Sequence, residues 1–572
     1  MHAADYAIVA LYLAIVLVLG RRARGGAATG DAFFLANRGL GRLRQFFFNF
    51  GHSTDANTAV STVSFVYDEG ASGAWLQLQL IFLNPYYWFM NTWFRRARLT
   101  TTADLFEDRL RSPGLARFYA VFQIGVAVIG IAFSNFVAYK VTYALSDGGI
   151  GMPQALFYVF LVAVVGAYVA MGGLEATVMN QMFQGSLVLV FSVILLPFGF
   201  HALGGQGLHA RLPAEMFDVF AGRSGGQFTL PAVLAVLAVS VVQINGNIIN
   251  MGISGSAKDE FAARLGSVTG TYGKRVMIVL WVFVGLIAAA LRQGPNRLAD
   301  PDSAWGSLSS QLLGPGFLGV MLVGLLSANM ASIATKTMAV SALAVRNLGG
   351  GRLRGAAEVR MARLASLAAL ALSVLVALAM RGTFAVTKLI LTINLPFGAL
   401  VLMMFFWRRL TRAAAWWCII LTAALITIEP VGARLTGDEF FGAGAWTLRS
   451  LGVLPQDCGR GWMLASQLLF DAAFPFLVLV FVSLLTRPPP AEVVEQFYGK
   501  MKTPVGKTLD LEAAAMEETR LRPDRFEQTK LFPGSSWEFA KWDRVDALGF
   551  AACCAISGGI LASLWIALSA LG

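Results

Sequence analysis

Residues 49–63 read NFGHSTDANTAVSTV and place an imidazole (His52), a carboxylate (Asp55), an amide (Asn57) and a row of hydroxyls between apolar flanks. Groups rich in oxygen suit two kinds of chemistry. They ligate a hard cation, and they exchange hydrogen bonds with a polar solute. The competing use is a polar seam, since Ser, Thr and Asn also hold apolar helices together. Asp55 tips the balance toward a site, because a carboxylate in an apolar region is costly and by default marks function. A second cluster interrupts TLPAVLAVLAVSVVQINGNIINMG (229–252) with Gln243, Asn245, Gly246, Asn247 and Asn250. Uncharged amides favour a neutral polar ligand such as a sugar or polyol. The candidate solute-binding residues are therefore His52, Asn57, Gln77, Gln243, Asn245 and Asn247. Gln77 and Gln79 are two apart, so on a helix at most one faces the same space; Gln77 is the choice.

Other chemistries find no support. GKT at 506–508 lacks the earlier glycine of a phosphate loop, the position being Met501. The histidines (His2, His52, His201, His209) have no metal-ligand spacing, and neither do Cys418, Cys458, Cys553 and Cys554. No enzyme, organic cofactor or disulfide framework is implied. The net charge of +12 does not indicate nucleic acid, since the basic residues lie between apolar segments with no basic face of interleaved aromatics.

The elements that position these groups are apolar helices. Of 572 residues, 56% are hydrophobic and only 14% charged, with a mean hydropathy of +0.64. The apolar blocks run about 20 residues, enough to span a hydrocarbon core as helices, and they lack the alternation of membrane strands. Fourteen spans are expected, near 5–20, 44–67, 73–94, 116–143, 153–171, 175–199, 229–252, 274–292, 316–345, 361–380, 384–407, 412–433, 463–486 and 546–570. The first has no basic leader or cleavage site and reads as a retained helix. Glu429 beside Pro430, and Asp471, read as kink caps or paired groups; Lys140 reads as a snorkelling residue.

Charge sets the expected direction. Segments 21–44 and 95–117 carry six Arg each, 253–275 four Lys/Arg and 346–363 five Arg, whereas 68–73 has none. The rich loops belong in the cytoplasm, which puts the N-terminus outside and a basic insert, 487–545, inside. Spans two to six (44–199) and seven to eleven (229–409) form two sets of five. An odd number makes the second set start on the opposite face, as in an inverted repeat. Around them lie 1–43 (first helix and basic loop), 410–486 (two further helices) and the last helix in 546–572. The first span of each set is the interrupted one, and matched interruptions point to a transporter site.

Five segments carry a resemblance. GGLEATVMNQMFQ (172–184), RRARLTTTADLFEDRL (95–110), SAKDEFAARLG (256–266), FLGVMLVGLLSANMASIATKTMAVSAL (317–343) and LLTRPPPAEVVEQFY (484–498) are similar, in order and spacing, to motifs of the sodium:solute symporters. That family includes the sodium–glucose and sodium–proline transporters. The resemblance implies a leucine-transporter-like five-plus-five inverted repeat. It implies a sodium ion held by carbonyls at the break of the second helix, Ser53 and Ala56, and by the ninth helix, where the matching positions are Ala328, Ala331 and Ser332. Ala331 supplies no hydroxyl, and Thr335 lies one turn along. The signature's Thr-Asp is Asn180-Gln181 here, so Gln181 keeps an oxygen without a charge. Lys336 is a third departure. It snorkels, replaces a bound cation, pairs with Asp55 or carries a proton.

The expected function is cation-coupled symport, with sodium the expected ion, of a small polar solute (sugar, polyol or amino acid) by alternating access across the cell (plasma or inner) membrane. Two alternatives stay open: a sodium-independent or proton-coupled carrier with Lys336 in the cation's place, and a solute-sensing receptor. Asp55, Gln181 and Lys336 are the expected coupling residues.

Overall fold

The computed structural model describes residues 2–26, 29–146, 152–220, 229–350, 353–380, 392–436, 447, 450, 452, 460–506 and 508–570. Cys458 and the 384–391 part of the expected eleventh span lie outside them, as do the side chains of Glu429 and Pro430. The described regular elements are helical, joined by isolated bridges only. Eight of the described helices are long and apolar enough to cross a membrane.

The first helix is α1 (Ala3–Arg22). The expected second span is two helices, α2 (Arg42–Ser53) and α3 (Ala56–Glu69), with Thr54 and Asp55 in non-helical geometry between them. Next come α4 (Asn84–Arg96), α5 (Ala103–Leu110) and α6 (Pro113–Leu145). Residues 71–83 wind in short turns before α4, because Pro85 is accommodated at a helix start and not in its interior. Helix α7 (Gln154–Ala202) carries the expected fifth and sixth spans. They meet at Gly173, whose φ of 58° breaks the helical geometry and whose missing Cβ leaves room for the Phe33 carbonyl.

The expected seventh span is again broken, into α8 (Leu230–Gln243) and α9 (Asn250–Gly255), with Asn247 extended (φ −72°, ψ 137°). Helix α10 (Glu260–Leu291) corrects the sequence reading. It starts at Glu260, not near 274, with Asp259 as N-cap accepting from Ala262 N at 2.7 Å. Lys274 and Arg275, counted above as loop charges, are therefore mid-helix and buried. Then follow α11 (Phe317–Leu343), α12 (Ala356–Ala379), α13 (Leu395–Phe406), α14 (Arg412–Thr436), α15 (Arg460–Leu485), α16 (Ala491–Lys502), α17 (Leu509–Leu521) and α18 (Arg544–Ala570).

Each broken helix has a straight partner behind it. Helix α10 packs along α2 and α3. Gly266 and Gly270 admit the Gln45 and Phe46 backbone of α2, and Gly285 admits Val66 of α3. Small residues let membrane helices approach this closely. Helix α13 backs the second break. A Cβ on Gly398 would lie 2.0 Å from the Val242 carbonyl oxygen. Helices α7 and α11 pack against each other, and α2 contacts both.

Candidate functional site at the two helix breaks

Helix α3 begins where it does because Asp55 caps it. Asp55 Oδ1 accepts from Thr58 N at 3.0 Å and from Thr58 Oγ1 at 2.7 Å. Such a cap satisfies donors that the helix start leaves free. Asp55 Oδ2 accepts from Ser332 Oγ of α11 at 3.4 Å, so one carboxylate ties the break to the neighbouring helix. Ser53 ends α2 and Ala56 starts α3, the two positions flanking the break. His52, Ser53, Asp55, Asn57 and Ser61 are half-buried while Ala56, Thr58, Ala59 and Val60 are buried, so the less enclosed side of the break is polar.

Two ammonium groups face this region. Lys274 of α10, 7% exposed, donates to Thr58 Oγ1 at 3.2 Å, so Thr58 relays between it and Asp55. Lys336 of α11 donates to Ser134 Oγ of α6 at 3.5 Å, and Asn57 Nδ2 donates to the same hydroxyl at 3.3 Å. The direct Lys336–Asp55 ion pair entertained from sequence does not form within 4.0 Å among the described residues. Sequence reasoning missed Lys274, because a basic pair at the edge of an apolar block looks like a loop anchor. The signal that finds it is the Asp259-Glu260 helix start followed by Gly266 and Gly270.

Ala328, Ala331, Ser332 and Thr335 are all buried on α11. Gln181 of α7 donates through Nε2 to Ala331 O at 3.1 Å and to Thr335 Oγ1 at 2.7 Å, and its Oε1 is buried with no hydrogen-bond partner. Gly51 leaves room for this side chain beside α2, with a Cβ there 3.1 Å from Gln181 Cγ. Asp55, Ser332, Thr335 and Gln181 carry oxygens of the type that could ligate a hard cation.

At the second break the amides divide. Asn245 is fully buried and both ends of its amide are taken. Tyr86 donates to its Oδ1 at 2.5 Å, and its Nδ2 donates to Val241 O at 2.7 Å. It holds the break together, whereas Gln243 and Asn247 are half-buried. Asn247 Oδ1 accepts from Ile249 N at 3.2 Å, and its carbonyl accepts from Thr102. The Gly246 carbonyl, freed by the break, accepts from Tyr119 at 2.8 Å and Gln123 at 3.1 Å, both of α6. Gln77 is half-buried with its carbonyl accepting from Arg275 at 3.4 Å, and Gln79 is buried. A narrow cleft of about 30 Å³ reaches Thr335 from the α9 side, lined by Phe48, Thr100, Ile249 and Met338 among others.

The chain resembles known carriers along most of its length. It is 22% identical to sodium/glucose cotransporter 4 of Danio rerio over 382 residues, 58% of this chain and 56% of that one. It is 24% identical to sodium/myo-inositol cotransporter 2 of Oryctolagus cuniculus over 258 residues, 38% of each. The chain thus spans about half the length, or less, of these relatives. In structure it matches a Na+-coupled sialic acid symporter in its substrate-bound, outward-open state, with a TM-score of 0.66 at 15% identity, covering 85% of this chain and 99% of that one. The likeness shows the fold, a leucine-transporter-like helical arrangement. The sodium:solute symporter family model matches residues 33–422, more than half of the chain, and the protein is a multi-pass membrane protein belonging to that family.

Proposed function

We propose that the protein is a secondary active carrier that moves a small polar solute by alternating access, driven by a sodium gradient. The observation that carries this reading is the pair of helices broken at Thr54–Asp55 and at Asn247, each unwound beside a close-packed straight partner. Unwound backbone inside a membrane persists only where it is buried in protein or lines a cavity, and matched breaks in two repeats form solute and ion sites in such folds. Family membership supports coupling to sodium.

Sodium, when bound, would supply a positive charge between the break and α11, held by Asp55, Ser332, Thr335, Gln181 and the Ser53 and Ala56 backbone. The chain's own residues do the rest. Ser332 and Asp55 link α11 to the break, and Gln181 links α7 to α11. Parting the Ser332–Asp55 contact frees the break to move relative to α11, while Gln181 keeps α7 and α11 together. His52, Asn57, Gln77, Gln243 and Asn247 offer hydrogen bonds to the solute, while Asn245 keeps the second break in shape. The Lys/Arg bias supports an orientation with the N-terminus outside and 487–545 in the cytoplasm; the proposed residence is the plasma or inner membrane. Residues 44–199 and 229–409 serve as the two repeats.

One observation favours a second reading. Lys274 and Lys336 bring two ammonium groups to a break where Ala331 supplies no hydroxyl. In that reading a lysine takes the cation's place and coupling is sodium-independent. Uptake into proteoliposomes under imposed sodium, potassium or pH gradients separates the two. Uptake that follows the sodium gradient supports the first; uptake indifferent to sodium supports the second.

A further inference from the structure

Around the first break the charges do not balance. Asp55 is the one carboxylate that the described contacts bring to it, facing Lys274 from α10 and Lys336 from α11. Part of the Asp55 charge is already committed, since its Oδ1 caps α3 and the start of a helix carries positive partial charge. The same helix start therefore adds to the positive side. Among the described residues neither ammonium has a carboxylate within 4.0 Å; their described hydrogen-bond partners are the neutral hydroxyls of Thr58 and Ser134. Arg275, next to Lys274, turns to the Gln77 carbonyl and adds a further buried cation without an acid. His52 lies within electrostatic range of Asp55, Lys274 and Lys336 and supplies no negative charge. A buried charge with no counter-ion is costly, so buried cations are paired in proteins or with what they bind.

The two lysines differ in setting. Lys274 is enclosed, whereas Lys336 is half-buried and reaches the same Ser134 hydroxyl as Asn57. On the α6 side, Gly130 stands against the Lys336 stem, so no side chain at that position covers it. Asn57 Oδ1 is buried without a partner beside it. A half-buried lysine with an amide one hydroxyl away is a pair suited to a small organic anion: the cation takes the carboxylate and the amide reads a neighbouring hydroxyl or carbonyl.

We propose that the solute is a small organic carboxylate, with Lys336 as the residue that contacts its charge and Lys274 as a second basic group behind Thr58. This rests on the carrier reading above and replaces the neutral sugar or polyol that the amides alone favoured. A bound sodium ion would strengthen the case, since it would engage Asp55 and leave Lys336 to the solute.

The test is thermal unfolding of the full chain in detergent at constant sodium, with acetate, pyruvate, lactate and gluconate set against acetamide, lactamide, glucose and myo-inositol. At least one carboxylate should raise Tm by about 2–4 °C near a hundred times its Kd, with its neutral counterpart inactive. Lys336→Gln should weaken that carboxylate by about 10- to 100-fold, the range for one charge-assisted hydrogen bond, and Lys336→Arg should restore part of it. If Lys336→Gln fails to fold, the carboxylate-against-amide contrast in the unaltered chain decides alone. The inference is overturned if no carboxylate shifts Tm, if neutral compounds shift it as much, if chloride alone does so equally, or if Lys336→Gln binds the carboxylate unchanged. A shift by glucose or inositol alone would leave the carrier reading standing. That reading fails instead on uptake and on access from the two sides of the membrane, whatever the ligand's charge.

Discussion

Replacing Asp55 probes the break most sharply, because its charge and its shape can be removed separately. Asn caps a helix about as well as Asp, so Asp55→Asn keeps the bond to Thr58 N while deleting the charge; Asp55→Ala loses both, the cap being worth about 1 kcal/mol. Bonds of 3.2 and 2.7 Å in series place Lys274 and Asp55 no more than about 6 Å apart, where two unit charges at an effective dielectric near 20 interact by about 3 kcal/mol. Asp55→Asn should therefore destabilise by about 3 kcal/mol and Asp55→Ala by about 4. The companion Lys274→Met removes the other charge and fills its volume. If the lysine's charge is held by Asp55, the double variant Asp55→Asn/Lys274→Met should lose far less than the two single losses together. Equilibrium unfolding in detergent micelles, followed by intrinsic tryptophan fluorescence, measures all four corners of that cycle. A coupling energy below about 0.5 kcal/mol would mean additive, independent sites and would refute the claim that Thr58 connects a working charge pair.

Other consequences are more local. Gly398→Ala drives a Cβ to 2.0 Å from the Val242 carbonyl, so it should cost at least the roughly 3 kcal/mol at the top of the overpacking range, seen as a lower Tm and, if folded, reduced uptake. Arg98 grips the insert through Glu512 and the carbonyls of Lys500, Thr503 and Pro504; Arg98→Ala should make 487–545 sensitive to limited proteolysis while the membrane helices stay intact. Glu538 sits among Lys502, Arg408 and Lys530, the last at 3.0 Å. Burial alone would raise its carboxyl, but those three cations hold it below the ordinary 4.5. A carboxylate depressed in the folded state contributes stability that is complete above about 4.5 and lost as pH falls through its lower folded value. Docking of the insert, read from Trp537 fluorescence, should hold down to about pH 4.5 and release below it, and Glu538→Gln should remove that dependence.

The breaks were legible because an apolar span cannot carry Gly51, Asp55 and Asn57, or Gly246 and Asn247, without cause: polar groups and glycine at mid-span are an unusual local pattern. The fold was legible from the order of motifs and the odd count of spans in each half. What the sequence hid depends on tertiary contacts. Nothing local distinguishes Asn245, closed by Tyr86 from 159 positions away, from Asn247, which stays half-buried. Lys274 was hidden by a sound rule, that charge is excluded from the bilayer, applied where a glycine-lined helix buries the charge against Thr58. The Gly173 bend was read as a gap between two spans, and it is a single non-helical residue in otherwise continuous helix.

The central proposal is that the region of the two breaks opens to each side of the membrane in turn. It is tested most directly by placing a cysteine at Asn57 in a chain with Cys418, Cys458, Cys553 and Cys554 replaced, and labelling it with a membrane-impermeant thiol reagent in right-side-out and inside-out vesicles. The account predicts labelling from both sides, with sodium raising one rate and lowering the other. Labelling from one side only, unmoved by sodium or solute, or none from either side, would contradict it.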